Sequence, residues 1–176
     1  MEYEVKGYKA FNYDATNRYG TFFAEGKTYH ADGEIVFGTH GNGFHMCKHL
    51  SDVFRFVNAQ NENVIVAEVT GRGKYVRRDD LYYGYFDMYC FENLTVDRFL
   101  TREEIIQLML ASPPHEVMKF LATCYLSEEE TILFARKFRN DMSVIKTLLY
   151  HHYGYKDIFK TECSTEECLR LVLKDG

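Results

Sequence analysis

The residues best suited to chemistry lie in the stretch GNGFHMCKHL, residues 41–50, which holds two histidines and a cysteine within five positions. Zinc would need four such ligands in tetrahedral geometry. The stretch offers His45, Cys47 and His49, with His40 beyond the glycines, but this spacing matches no zinc module. A nucleophilic Cys47 would need His45 as its base and an electropositive setting. We favour a third interpretation, packing between a strand and a helix, because free cysteine is among the most buried residue types. We therefore expect no metal.

A second candidate for chemistry is Glu68, a carboxylate inside the apolar run NVIVAEVTG. An unpaired buried charge is costly, so a carboxylate in such a run is either paired or functional. Arg72, Arg18 and Lys9 are possible partners. We favour a structural salt bridge and leave the functional alternative open.

A third candidate is the stretch DDLYYGYFDMY, residues 79–89, which packs five aromatic and three acidic side chains into eleven positions. Tyrosine gives rigid contact area at low entropic cost, and aromatic residues are enriched at interfaces. Either this stretch binds another molecule or its rings cover the seam between the two halves of the chain, and both alternatives stay open. The candidate binding residues are Tyr82, Tyr83, Tyr85, Asp87 and Tyr89.

The elements that must position these residues differ between the two halves of the chain. Residues 1–99 hold 20 of the 28 Phe and Tyr residues, and ten of the twelve glycines precede residue 85. Aromatic and β-branched runs broken by Gly, Asn and Asp predict strands and turns. We expect strands at YEVKGYKAF, GTFFA, KTYH, EIVFG, GFHMC, NVIVAEVTG, KYVR and DMYCFENLTVDRFL, with a hairpin turn at HADGE. One helix is expected over Lys48–Asn58, where apolar residues recur at helical spacing.

The second half is predicted to be helical. TREE, SEEE and STEE each have the form of a capping box, with a hydroxyl followed three residues later by a glutamate. Ser112 followed by Pro113 offers a fourth helix start. The prediction is an α+β fold. A mostly antiparallel sheet with one helix, residues 1–99, is followed by a bundle of four or five short helices, residues 100–176, packed against it.

Composition limits the classes of function. The chain has 176 residues with 21 basic and 26 acidic side chains, a net charge of −5, and neither half is basic. We therefore expect no direct binding of nucleic acid. No run of about 18 apolar residues is present, and the mixed-charge start MEYEVKGYKA does not suggest a secretory signal, so we expect no membrane association. Five cysteines without a CxxC pair favour reduced thiols and a cytoplasmic protein.

The motif order GYKAFN, EGKTYH, GFHMCKHLSDVFRF and VAEVTGRG resembles a family of uncharacterised domains found in bacteria and their phages. The resemblance covers about residues 6–76. It implies no particular activity. It is consistent with a protein encoded by a phage or mobile element.

A more remote resemblance is to the core of ADP-ribosyltransferases, which also has a glycine–aromatic strand, a helix and a strand like VIVAEV. In that superfamily a histidine or arginine on the first strand holds NAD, and a later glutamate acts on the nicotinamide ribose. The first strand here offers lysines instead. The resemblance implies NAD as the ligand and Glu68 or Glu92 as the glutamate. Its cleft would be lined by the catalytic candidates Tyr8, His45 and Glu68.

Two functional hypotheses follow from the sequence. The first is a cytoplasmic interaction module that binds a host protein or nucleoprotein through an acidic, aromatic-rich surface and needs no cofactor. The alternative is an NAD-dependent ADP-ribosyltransferase-like enzyme, active or degenerate. Homodimerisation through the tyrosine-rich stretch is a further possibility. The sequence alone does not decide whether the protein is an enzyme.

Overall fold

A computed structural model describes residues 3–12, 14–17, 20–38, 40–56, 64–79 and 87–174. The chain divides into two compact units, Met1–Thr101 and Arg102–Gly176. The first unit holds all the strands assigned in the described residues, and the second holds helices. The predicted α+β class is therefore confirmed.

The first unit is built on a five-stranded antiparallel sheet with one short helix. The strands are β1 (Glu4–Phe11), β2 (Thr28–His30), β3 (Phe44–Cys47), β4 (Ile65–Asp79) and β5 (Asp87–Leu100), and the helix is α1 (Leu50–Val53). The two long strands β4 and β5 pair with each other along nearly their whole length. This hairpin is the frame on which the shorter strands assemble.

Four of the strands close into a ring. β1 pairs with β4, β4 with β5, and β5 with β3, and β3 returns to β1 where Cys47 lies opposite Tyr8. β2 pairs with a different part of β5. Closure leaves fewer strand edges to be covered. One face of these strands carries the core, whose buried members are Val5, Phe11, Phe23, Met46, Ala67, Val69, Tyr89, Phe91, Leu94 and Val96.

Several local predictions for this unit need correction. The predicted strands NVIVAEVTG, from Ile65 onward, and KYVR belong to one strand, β4, which continues through a bulge between Arg72 and Tyr75. EIVFG and GTFFA contribute only isolated bridges; in GTFFA, Phe23 is fully buried in the core while Phe22 is exposed. HADGE is not a hairpin turn, because β2 pairs with β5 instead of with the residues that follow it. The predicted helix at Lys48 is reduced to α1, and its last two residues lie outside the described residues.

The second unit contains five helices within the described residues, each near ten residues long, as predicted. They are α2 (Arg102–Leu110), α3 (Pro114–Thr123), α4 (Glu128–Lys137), α5 (Met142–His152) and α6 (Thr165–Leu173). Ser127 and Ser164 form complete capping boxes at α4 and α6. At α3 the cap is Pro113 instead of Ser112, whose hydroxyl donates to the Leu108 carbonyl. No described helix is long and apolar enough to cross a membrane.

The prediction of five reduced thiols is wrong for one pair, because Cys163 and Cys168 form a disulfide. These residues flank the Ser164 cap of α6, in the two positions where a hydrophobic staple normally packs. Their Cα atoms are 6.5 Å apart, within the range that a disulfide spans. The other three cysteines are free and buried.

Candidate functional site

The histidine–cysteine stretch lies on β3 and at the turn into α1. Cys47 is 5% exposed and His45 is half-buried. The His45 Nε2 accepts a hydrogen bond of 3.2 Å from the Gly38 N–H, and its ring meets the edge of Phe37 at 4.6 Å. The His45 carbonyl accepts from Lys9 Nζ at 2.7 Å. The His45 ring and the His45 carbonyl therefore each bind another segment of the chain, at Gly38 and at Lys9.

The titration of these groups does not suit acid–base or nucleophilic chemistry. Burial and the nearby Lys9 charge lower the pKa of His45 to about 4, so the ring is neutral at pH 7. Burial, with a contribution from Asp52, raises the pKa of Cys47 to about 12. A thiol needs a depressed pKa or a base to act as a nucleophile, and Cys47 has the opposite shift.

Metal binding has no geometric support in the part of the chain that the structure describes. No three His, Cys, Asp or Glu side chains among those residues are placed to share an ion. His49, the third ligand considered, is the cap residue of α1.

Two of the three transferase candidates come together. Tyr8 on β1 lies directly opposite Glu68 on β4, and on its other side Tyr8 lies opposite Cys47. Burial and the Glu68 charge raise the pKa of the Tyr8 hydroxyl. His45 lies two positions along β3 from Cys47, on the same face by strand alternation. Its ring, however, is engaged with Phe37 and Gly38.

Glu68 is paired with Arg98, which was not among the partners considered. The guanidinium donates to both carboxylate oxygens, at 2.8 Å and 3.1 Å. Arg72 instead donates to Glu4 at 2.8 Å, Lys9 bonds the His45 carbonyl, and Arg18 lies outside the described residues. This arrangement agrees with the structural salt bridge that the sequence favours.

The predicted binding stretch is only partly described. Tyr82, Tyr83 and Tyr85 lie outside the described residues, whereas Asp87 and Tyr89 begin β5. Asp87 accepts a 2.8 Å hydrogen bond from Arg77. Tyr89 is 5% exposed, and its ring packs 5.7 Å from that of Phe91. Tyr89 is therefore a core residue near the end of the hairpin where the connecting segment joins the two strands, and not an exposed binding residue as predicted.

The rings that do reach solvent near this position are Tyr3 and Tyr75. They stack with centroids 4.4 Å apart and are 47% and 40% exposed. The sequence interpretation missed both. The sequence signal that could have located them is the pair of glycines inside β4, since glycine in a strand marks a bulge or a close approach of another group. In the structure Phe91 covers Gly71, and Gly73 lies at the bulge with φ of +84°.

Beside Tyr75 lies an open groove of about 530 Å³. One wall is the loop after β2, and the other is the exposed part of β4. The lining residues are Gly33, Glu34, Ile35, Lys74, Tyr75 and Val76. The groove carries one acidic and one basic side chain among apolar ones, which suits an amphipathic ligand better than a purely ionic one.

Comparison with known proteins identifies a family but no characterised relative. No curated protein and no solved structure matches the chain. The model of a family described as a domain of unknown function (DUF7666) matches residues 5–107. That match takes in every strand of the sheet except the first residue of β1, together with most of α2. The chain belongs to this family of domains of unknown function.

Proposed function

We propose that the chain is a binding module, encoded by a phage or mobile element, that holds a host protein or nucleoprotein through its β4–β5 hairpin. The observation that carries the proposal is the stacked, solvent-exposed pair Tyr3 and Tyr75 beside the exposed strand residues 74–78. Tyrosine and arginine are enriched among residues that dominate binding energy at interfaces. The candidate residues Tyr82, Tyr83 and Tyr85 join these two strands in the sequence and lie outside the described residues.

The hairpin carries charges of both signs, which favours a protein as its partner. A polyanion or a polycation would be repelled by part of this surface. β4 contributes Lys74, Arg77 and Arg78, and β5 contributes Asp87 and Glu92. The connecting segment adds one acidic residue, Asp80, and three tyrosines to the sequence between the two strands. Charges of both signs around aromatic anchors favour orientation and specificity in a protein complex.

Affinity capture from a bacterial lysate with the immobilised full chain tests the proposal. The wild-type chain should retain a stoichiometric partner at low salt, and the double variant Tyr3→Ser, Tyr75→Ser should lose it. Tyr125→Ser is the matched control, since this ring is 48% exposed but belongs to the helical unit. Failure to recover a stoichiometric partner, or equal recovery by the double variant, would overturn the proposal.

We propose an NAD-dependent transferase of the ADP-ribosyl type as the second candidate, because Tyr8 and Glu68 are direct neighbours across β1 and β4. Both Glu68 oxygens are held by Arg98, so the carboxylate would have to exchange this partner for the ligand. Thermal unfolding with and without saturating NAD decides the point. A ligand at a hundred times its Kd adds about 2.7 kcal/mol to the free energy of unfolding; an unchanged Tm removes this candidate.

A further inference from the structure

Within the described residues, one edge of β4 is paired over only half of its length. β1 pairs with β4 from Ile65 to Arg72, whereas β5 pairs with it from Val66 to Asp79. Among the residues that the structure describes, no strand lies against β4 beyond Arg72 on the edge away from β5. Backbone groups on such an edge form a template for another strand. The Lys74 N–H already donates to Glu92 Oε2 at 3.3 Å, so pairing there would exchange this bond.

We infer that this edge, residues 74–78, binds an extended acidic peptide segment of a partner protein as an added strand. The inference rests on the proposed function and specifies the partner's chemistry. All five residues of the edge are exposed. The exposed rings of Tyr3 and Tyr75 stand where β1 stops covering β4, so an added strand would begin against an aromatic surface.

Charge selects an acidic strand over a second copy of the chain. The edge has the sequence KYVRR, with three cations in five residues. Antiparallel pairing with a second copy centred on Val76 would set Lys74 opposite Arg78 twice, and like charges directly opposite are destabilising. Carboxylates on an added strand would face these cations favourably.

The carboxylates that already pair with these cations do not prevent an acidic peptide from binding. Lys74 lies 3.8 Å from Glu92 with its side chain 74% exposed, and Arg77 donates to Asp87 with 49% exposed. The carboxylates of these pairs are more covered, with Glu92 19% and Asp87 24% exposed. Each cation therefore keeps an exposed side on which a peptide carboxylate can bind it without displacing the carboxylate already there.

The two faces of the edge specify the alternate side chains of the peptide. Successive side chains of a strand point to opposite faces, so Lys74, Val76 and Arg78 share one face of β4, and Tyr75 lies on the other face, where its ring stacks on Tyr3. A peptide whose acidic residues face Lys74 and Arg78 presents its alternate residues to these two rings, where apolar side chains fit best. The peptide that fits therefore alternates acidic and apolar residues.

Fluorescence anisotropy with the full chain tests the inference. The probe is a labelled eight-residue peptide that alternates Glu and Val. A second probe has the same sequence with alternate backbone amides methylated, which keeps the charge but removes main-chain hydrogen bonds. A third replaces Glu by Lys. We expect binding of the first probe only, with a Kd raised at least about tenfold by Lys74→Glu or Arg78→Glu. Arg170→Glu, an exposed charge reversal on the helical unit, should leave the Kd unchanged.

Three results would overturn the inference: no binding of the acidic peptide, equal binding of the methylated peptide, or a dimer in light scattering that protects the amides of 74–78 from hydrogen exchange. If the wild-type chain captures a lysate partner that the double variant Tyr3→Ser, Tyr75→Ser loses, while the acidic peptide fails to bind, the proposed function stands and the added-strand mode is wrong. If the peptide binds but the lysate yields no partner, the edge can accept an added strand and the proposed function is wrong. Circular dichroism of each variant checks that its fold is retained.

Discussion

At the scale of single residues, the sequence predicted which side chains are unusual better than it predicted their partners. The packing interpretation of the histidine–cysteine stretch agrees with the burial of Cys47 and with the bonds that His45 makes at both ends. The partner of Glu68 could not be predicted, because Arg98 lies 30 residues away. The two residues meet through a register that shifts at a bulge between Glu68 and Val69, and bulges are set by the assembled sheet.

His45 should make stability depend on pH. Its folded pKa of about 4 lies below the ordinary value of about 6.5. As the pH falls through this window the unfolded chain binds a proton that the folded chain does not, so the free energy of unfolding decreases. For this half-buried ring we expect a loss on the order of 1 kcal/mol between about pH 7 and 5.

Urea unfolding of wild type and His45→Gln across that range measures the effect. Glutamine can accept the Gly38 hydrogen bond and does not titrate, so the variant should show a shallower pH dependence. Identical slopes for the two proteins would show that His45 titrates normally in the fold.

At the scale of elements, strands that pair along long stretches were predicted well and short connections were not. DMYCFENLTVDRFL corresponds to β5 and YEVKGYKAF to β1 with one residue added. The composition of GTFFA predicts a strand. In the structure the chain turns at Gly20, with φ of +77°, and the Phe23 side chain packs in the core. Tertiary packing there overrides local propensity.

Gly7, in the ring of four strands, should not tolerate a side chain. Any Cβ at this position would overlap the Cys47 carbonyl oxygen, a backbone atom of β3 that cannot rotate away. Gly7→Ala should therefore lower the free energy of unfolding by about 2 kcal/mol or more, because the position where β1 pairs with β3, Tyr8 opposite Cys47, lies directly beside it. Urea denaturation followed by tyrosine fluorescence suits this chain, which has no tryptophan.

The matched control for Gly7 is Gly26→Asn. Gly26 has φ of +75° with nothing within 4 Å of an added Cβ, and asparagine tolerates this backbone region better than other side chains. Its cost should be about 1 kcal/mol, the low end of the range for a non-glycine residue in this backbone region. A Gly7→Ala variant as stable as this control would mean that β1 and β3 can separate without loss.

At the scale of the whole molecule, the change from aromatic, glycine-punctuated sequence to capped helices predicted the α+β class. The closure of four strands into a ring could not be predicted in this way. It depends on β3 pairing with both β5 and β1, which are distant in sequence, and alternation within a strand carries no information about its neighbours. Within the described residues, β1 pairs with β4 only as far as Arg72, so the added-strand inference also depends on an arrangement that the sequence did not predict.

The reactivity of the five cysteines tests the burial of both units in one experiment. Cys47, Cys90 and Cys124 are buried, and burial raises the pKa of Cys47 to about 12 and of Cys90 to about 11. Iodoacetamide should therefore label none of them readily in the native chain, since the thiolate is the nucleophile. Mass spectrometry after unfolding in urea without reductant should show three labels, and five after reduction of the Cys163–Cys168 disulfide. Rapid, stoichiometric labelling of Cys47 in the native chain would instead mean that its thiolate is stabilised, and would restore it as a catalytic candidate beside His45.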